Sequence, residues 1–272
     1  MTNLRRVAIA AVTVVMLAAG GANAANTTNY SDQWWALNES GWALSVHQQA
    51  DVLFVSLLVY GTDGKPTWFT AAAVLQPGSD RGHAAFSGDL YLTNGPYYAT
   101  QWNPAALTYG KVGTLTFVGN GPESATLNYS VDGTPMSKSL VRQTWRYESI
   151  AGTYVGGWNA DRVNCISGPA NETHFEDRLT IVVEAIGDNR VTVTLRYDTG
   201  EPDIITGVYT QSGHLGRIDG EFAYQVHGGY VGITEIEVTG SGFTAKFEGD
   251  LVSSRWRDWC DMKNGRIGGV LR

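Results

Sequence analysis

From Trp42 onward the chain is cut into short alternating or apolar segments by turns of two or three residues, a rhythm that fits antiparallel β-structure and little else. Trp42, Leu44 and Val46 fall on one face of the first segment, and Ala43, Ser45 and His47 on the other. Val52 to Tyr60 is a near-continuous apolar run that Asp63-Gly64 turns into Thr67 to Val74, a hairpin signature. Ala85 to Leu92, Val112 to Val118, Ala125 to Val131 and Ser137 to Trp145 follow, separated by Asn94-Gly95-Pro96, Gly119-Asn120-Gly121 and Asp132-Gly133. Seven strands fit this first half. The second half offers eight: Gly152 to Asn159, Asp177 to Ile186, Arg190 to Tyr197, Ile204 to Gln211, Leu215 to Tyr224, Val231 to Thr239, Phe243 to Val252 and Arg266 to Leu271. With 33 glycines but only 8 prolines in 272 residues, glycine acts as turn punctuation and not as low-complexity filler. The expected fold class is all-β, with two antiparallel meander domains, each a small barrel or a sandwich. The second, with eight strands on short turns, is expected to be an up-and-down barrel, since eight is a count at which a sheet can close and lose its edges. Tyr97 to Tyr109 breaks the rhythm; it reads as a long loop in which Asn103-Pro104 caps one short helical turn through Leu107.

Residues 1–24 read as a cleavable leader, with Arg5-Arg6, an apolar stretch from Val7 to Gly20, and the small-x-small site Ala22-Asn23-Ala24. The apolar stretch falls short of the roughly 20 residues that a spanning helix needs, so no membrane span is expected in the mature chain. Export, to the periplasm or beyond, is the expectation. The expected domains are 25–146 and 147–272, with a linker around Arg146 to Ala151. Without Arg5 and Arg6 the chain keeps 17 basic against 26 acidic residues, a net charge of −9. No basic run is present, which excludes nucleic acid as a partner class. Cys165 and Cys260 are the two cysteines and, in an exported chain, read as one disulfide closing most of the second half.

The stretch from Tyr30 to Phe69, YSDQWWALNESGWALSVHQQADVLFVSLLVYGTDGKPTWF, resembles a Trp-Trp-x-x-x-Glu-Ser-Gly-Trp segment with a following Gln-x-Asp strand and Asp-Gly hairpin. That segment recurs in exported two-part β proteins of proteobacteria whose function is uncharacterised. The likeness runs on through FSGDLYLTNGP, VGTLTF, ATLNYSVDG and VRQTW, then SIAGTYVGGWN, GVYTQSGHLGRIDGEF and GRIGGV, so it covers nearly the whole mature chain. Two further cysteines of the family pattern are missing here, where the text reads EPDIITGVY and GEFAYQ. The resemblance implies a compartment and an architecture and no activity.

The densest chemical constellation is Trp34, Trp35, Glu39, Trp42, His47, Gln48, Gln49, Asp51 and Trp68, with Tyr97, Tyr98 and Trp102 on the irregular loop. Flat aromatic faces beside carboxylates, amides and hydroxyls suit the apolar CH face and hydroxyl rim of a sugar ring. The competing reading is that several of these tryptophans are core, Trp42 above all because it alternates with Leu44 and Val46. An enzyme would pair Glu39 with Asp51 or use His47 as a base; Ser40 lacks the Gly-x-Ser-x-Gly elbow of a hydrolase nucleophile. In the second half Glu172, His174, Glu176 and Asp177 are the residues that a divalent ion would need, against the simpler reading of a solvated loop. Glu235 and Glu237 share one strand face, and Trp256 and Trp259 flank Arg257 and Asp258 beside Cys260. No cofactor motif is present. The first functional reading is an exported, non-enzymatic binder of a carbohydrate, a cell-envelope glycan or another small ligand. A hydrolase of an extracellular polymer and a surface or matrix protein acting through protein contacts are the alternatives.

Overall fold

A computed structural model describes residues 28–79, 83–166, 168, 172–224, 227–252 and 259–272. The first barrel is built from β1 (Asp32–Trp35), β2 (Ala43–Gln49), β3 (Val52–Tyr60), β4 (Pro66–Leu75), β5 (His83–Asn94), β6 (Thr108–Asn120), β7 (Ser124–Val131) and β8 (Thr134–Arg142). The second comprises β9 (Gly152–Val163), β10 (His174–Gly187), β11 (Arg190–Arg196), β12 (Asp203–Ser212), β13 (Leu215–Tyr224), β14 (His227–Thr239), β15 (Gly242–Val252) and β16 (Trp259–Leu271). Each set pairs antiparallel in sequence order and closes on itself, β1 on β8 and β9 on β16. The chain is therefore two antiparallel all-β domains, each a closed eight-stranded barrel. A sandwich is excluded for either half.

The first half holds one strand more than its alternation signals. β1 has only four residues, too few to show a period, yet it closes the ring. The irregular stretch contains the expected helical turn: Pro104–Ala106 is 3-10, and the Asn103 side chain accepts from Ala105 N at 3.1 Å. Cys165 and Cys260 are bonded. In the chain-entropy picture a bridge of this reach removes much of the freedom of the second half's unfolded state. Of the Trp256-to-Trp259 cluster, residues 256–258 lie outside the described residues.

Both interiors are filled. The first contains Trp34, Leu53, Leu57, Phe86, Phe117 and Leu127, none of them exposed, and Tyr30 closes one mouth edge-on to Phe86 and Phe117 at ring distances of 5.9 and 5.3 Å. The second is organised on Trp158, edge-on to Phe175 at 5.0 Å and to Phe247 at 5.2 Å. No helix among the described residues is long and apolar enough to cross a membrane. On the first barrel the outer row across β5 to β8 reads Ser87, Thr116, Asn128, Ser137.

Candidate functional site

Strand direction sorts the loops of each barrel into two ends. In the first, the β1–β2, β3–β4, β5–β6 and β7–β8 connections lie at one rim, and the chain entry, residues 50–51, 76–79 and 121–123, and the exit after Arg142 lie at the other. In the second, the β12–β13 and β14–β15 turns and the start of β9 share one rim, and the disulfide lies at the opposite rim. The barrels meet entry rim to hairpin rim.

The junction is polar. Asp32 Oδ2 accepts from Arg142 NH1 at 3.0 Å and from the His214 backbone N–H at 3.0 Å, and it lies 2.7 Å from His214 Nδ1. The other His214 ring nitrogen is 3.6 Å from Glu237, whose carboxylate accepts from Asn29 at 2.9 Å. Glu235, held at φ +50 in the bulge of β14, accepts from Thr28 at 2.8 Å and from Lys246 at 2.7 Å. Gln211 donates to the carbonyls of Arg146 and Gly213 at 2.8 Å each, pinning the linker. Gly213, at φ +61, is where the hairpin tip comes closest: an added Cβ would collide with the Asp32 carboxylate and with Arg142. Glu235 and Glu237, which share a strand face in the sequence, thus both reach residues that precede β1.

Electrostatics follow from this geometry. Burial pushes the Asp32 carboxyl up, but hydrogen bonds from His214 and the Arg142 charge outweigh it and hold the group below the usual carboxylate range. Hydrogen bonding to Asp32 and Glu237 leaves the His214 imidazole pushed up to about 9. Its hydrogen bond in turn lowers Glu237. A histidine raised above its unfolded value of about 6.5 adds stability that is whole below that value and is lost as pH rises through the folded one. With the ring more than a third exposed, solvent screening reduces the contribution to about 1 kcal/mol. Stability followed by thermal unfolding from pH 6 to 10 is therefore expected to fall on the alkaline side. His214→Gln should flatten that limb; an identical limb in the variant would show that other groups cause it. Asp32 and Glu237 act oppositely: lowered pKa values give stability that is present at neutral pH and lost on acidification.

The residues expected at a ligand site scatter. Trp34 is fully buried, its Nε1 donating to Tyr30 O at 3.0 Å and its ring 4.7 Å beneath the Arg142 guanidinium, so it cannot stack on an external ligand. Trp35, its neighbour on β1, faces outward and is half-buried. Trp42 is partly buried against the first core. Glu39 is paired with Lys138 through both oxygens, at 2.8 and 2.6 Å. Its turn and the loop carrying Tyr97, Tyr98 and Trp102 are on the same rim but on opposite sides of the ring, since β1–β2 and β5–β6 are four strands apart. Glu39 and Asp51 sit at opposite ends of β2, about 20 Å apart at some 3.3 Å per residue. Two carboxylates that divide acid and base roles need to be within about 5–10 Å, so this pair cannot flank one bond. His174 pairs with Asp161 at 2.7 Å, and Glu172 accepts from Asn164 N. Among the described residues no three His, Cys, Asp or Glu side chains converge on a metal position.

His47 and Trp68 do share a face. Outward residues on β2, β3 and β4 form cross-strand rows, Ala43–Leu58–Trp68 and His47–Phe54–Ala72, bordered by Tyr60 opposite Pro66 and Val52 opposite Val74. Phe54, Leu58, Tyr60, Trp68 and Val74 are each between 41% and 57% exposed, which is far more apolar surface than solvated strands need. A groove of about 430 Å³ runs beside Tyr60 and Trp68, walled by Gly41, Leu58 and Pro66. Gly41, at φ +89, lets the Tyr60 ring lie directly over its Cα, which accounts for glycine in the Glu-Ser-Gly-Trp segment. The continuous apolar character of Val52 to Tyr60 was the available signal for this outer face.

No protein-family model matches the chain, and no curated protein matches it. Among solved structures it is similar to isotype 1 transferrin binding protein B from serogroup B Neisseria meningitidis, at 10% identity and a TM-score of 0.30, over 85% of this chain and 66% of that one. This chain thus spans just under two thirds of that protein's length. What remains of the sequence resemblance is its coarser content, two antiparallel β domains in one chain. None of these comparisons bears on the Trp-Trp-x-x-x-Glu-Ser-Gly-Trp segment itself.

Proposed function

We propose that this is an exported, non-enzymatic protein of two domains, 25–146 and 147–272, that works through protein contacts on the outer face of its first barrel. The observation that carries the reading is the row of exposed Phe54, Leu58, Tyr60, Trp68 and Val74 on two adjacent strands. A patch mixing aliphatic and aromatic side chains matches the apolar centre of a protein interface better than a sugar subsite, where polar groups must surround each ring. Clusters of packed apolar side chains inside both barrels add to this, because they leave the outer surface as the face available for contacts. The leader motif and the disulfide both fit an oxidising compartment outside the cytoplasm.

A glycan-binding reading keeps one supporting observation. Tyr97, Tyr98 and Trp102 are 62%, 89% and 64% exposed on the β5–β6 loop, at the rim away from the second barrel. The two surfaces are separable by experiment. A photo-cross-linking residue in place of Tyr60, in cells exporting the protein, is expected to trap a discrete protein adduct. Trp68→Ala should weaken that contact by about 1–3 kcal/mol, the size of an interface anchor, with the melting temperature nearly unchanged. Binding on a glycan array that Trp102→Ala abolishes and Trp68→Ala leaves intact would overturn the protein-contact reading.

A further inference from the structure

The first barrel is closed along only part of its seam. β8 pairs with β7 from Thr134 to Val141, but with β1 only at Val141 and Arg142, because β1 stops at Trp35. Residues 36–42 then leave the sheet in turns whose backbone hydrogen bonds are internal, Glu39 N to Ala36 O and Trp42 N to Glu39 O, both at 3.2 Å. Thr134 to Leu140 therefore has a strand partner on one side only among the described residues. A trough of about 450 Å³ runs over β8, floored by Ser137 to Val141, with Ala36, Leu37 and Glu39 along the free edge and Asn120 and Ser124 to Thr126 on the side of β7.

The polarity of the free edge follows from the hairpin. Val131 and Thr134 flank a two-residue turn, Asp132-Gly133, both at positive φ, so they form a hydrogen-bonded pair and the even-numbered residues of β8 bond to β7. The odd-numbered ones face the seam, as Gln143 N donating to Gln33 O at 2.8 Å shows. Ser137 and Ser139 thus present N–H and C=O groups to the free edge, and Pro135, which has no N–H, lies on the same edge, which tolerates proline. A lysine on an edge normally repels an added strand. Lys138, however, is mostly buried and held by Glu39, so its charge is neutralised.

We propose that this seam accepts an extended segment of a partner polypeptide, which continues the line of β1 and pairs antiparallel with Ser137 and Ser139. The main-chain groups fix the occupant as a strand and not a helix or a sugar, since they offer donors and acceptors at strand spacing. Leu37, 57% exposed along the free edge, calls for an apolar side chain facing it. Side chains pointing the other way meet the Lys138–Glu39 pair and are expected to be polar. This contact is distinct from the β2–β4 face and does not depend on it.

Selection of linear heptapeptides displayed on phage, against the full mature chain, tests the idea. Synthetic versions of the selected peptides are expected to slow hydrogen exchange at the Ser137 and Ser139 amides. Ser139→Pro should reduce their affinity at least tenfold, because it removes a seam N–H and no bond to β7, while Ser139→Ala should bind like the parent. Leu37→Arg, along the free edge and outside the sheet, gives the same test if Ser139→Pro does not fold. Peptides indifferent to both Ser139→Pro and Leu37→Arg, or amides at 137 and 139 already protected in the free protein, would overturn the proposal. So would a concentration-dependent dimer abolished by Ser139→Pro, which would make the occupant a second copy of this chain.

Discussion

Asp32→Ala is expected to destabilise the protein by about 3–5 kcal/mol, the cost of leaving a buried charge without its partner. Arg142 has no exposed side-chain surface and cannot deprotonate. It keeps Pro122 O and Asn29 O as acceptors but loses its carboxylate partner when Asp32 is removed. The same substitution strips His214 of two of its contacts, so the barrels should also come apart as units. Urea unfolding that is a single transition in the parent is expected to split in two, and X-ray scattering should report a broader distribution of inter-barrel distances. His214→Ala separates the two effects, because it removes the imidazole contact across the junction while leaving the Asp32–Arg142 pair in place. Should Asp32→Ala lose less than 1 kcal/mol with an unchanged scattering profile, the junction is not what holds the barrels together.

Trp34→Ala should cost about 3–5 kcal/mol through the cavity it leaves in the first barrel. The indole fills the space between Phe117, edge-on at 5.3 Å, and the Arg142 guanidinium, and its loss also removes the N–H bond to Tyr30 O. Trp68→Ala, on the outer face, is expected to change stability by less than about 1 kcal/mol. Denaturant midpoints of the two variants, measured side by side, check the assignment of one tryptophan to the core and the other to a contact surface. Equal losses would mean that the outer face is structural.

Much of the architecture is legible from local chemistry. Asp132-Gly133 turns the chain as a two-residue hairpin and Asp63-Gly64 within a five-residue connection, and alternation from Leu44 to Val46 or from Leu115 to Phe117 predicts the inward faces observed. Where the period is too short to read, the sequence misleads. Trp34 and Trp35 look irregular because four residues carry no detectable alternation, and they were grouped with loop aromatics that lie across the ring. The expected acid–base pair parts for another reason: nearness in sequence at Glu39 and Asp51 becomes the full length of a strand in space.

The junction shows the other side of this divide. Asp32, Arg142 and His214 are separated by 110 and 182 positions as pairs with Asp32, and no pattern of hydropathy or spacing links them. They do lie in YSDQWW, VRQTW and GVYTQSGHLG, three of the segments that carry the family resemblance, although nothing in those segments says that they touch. Most strands and their turn positions are determined by neighbouring residues, whose steric and solvation preferences act over a few positions. Ring closure by the short β1, the half-open seam beside β8 and the rim-to-rim meeting of the barrels depend on which distant edges run out of partners. That is decided only when the whole sheet has curled, because a backbone group is satisfied or left free by its neighbour in space and not by its neighbour in sequence.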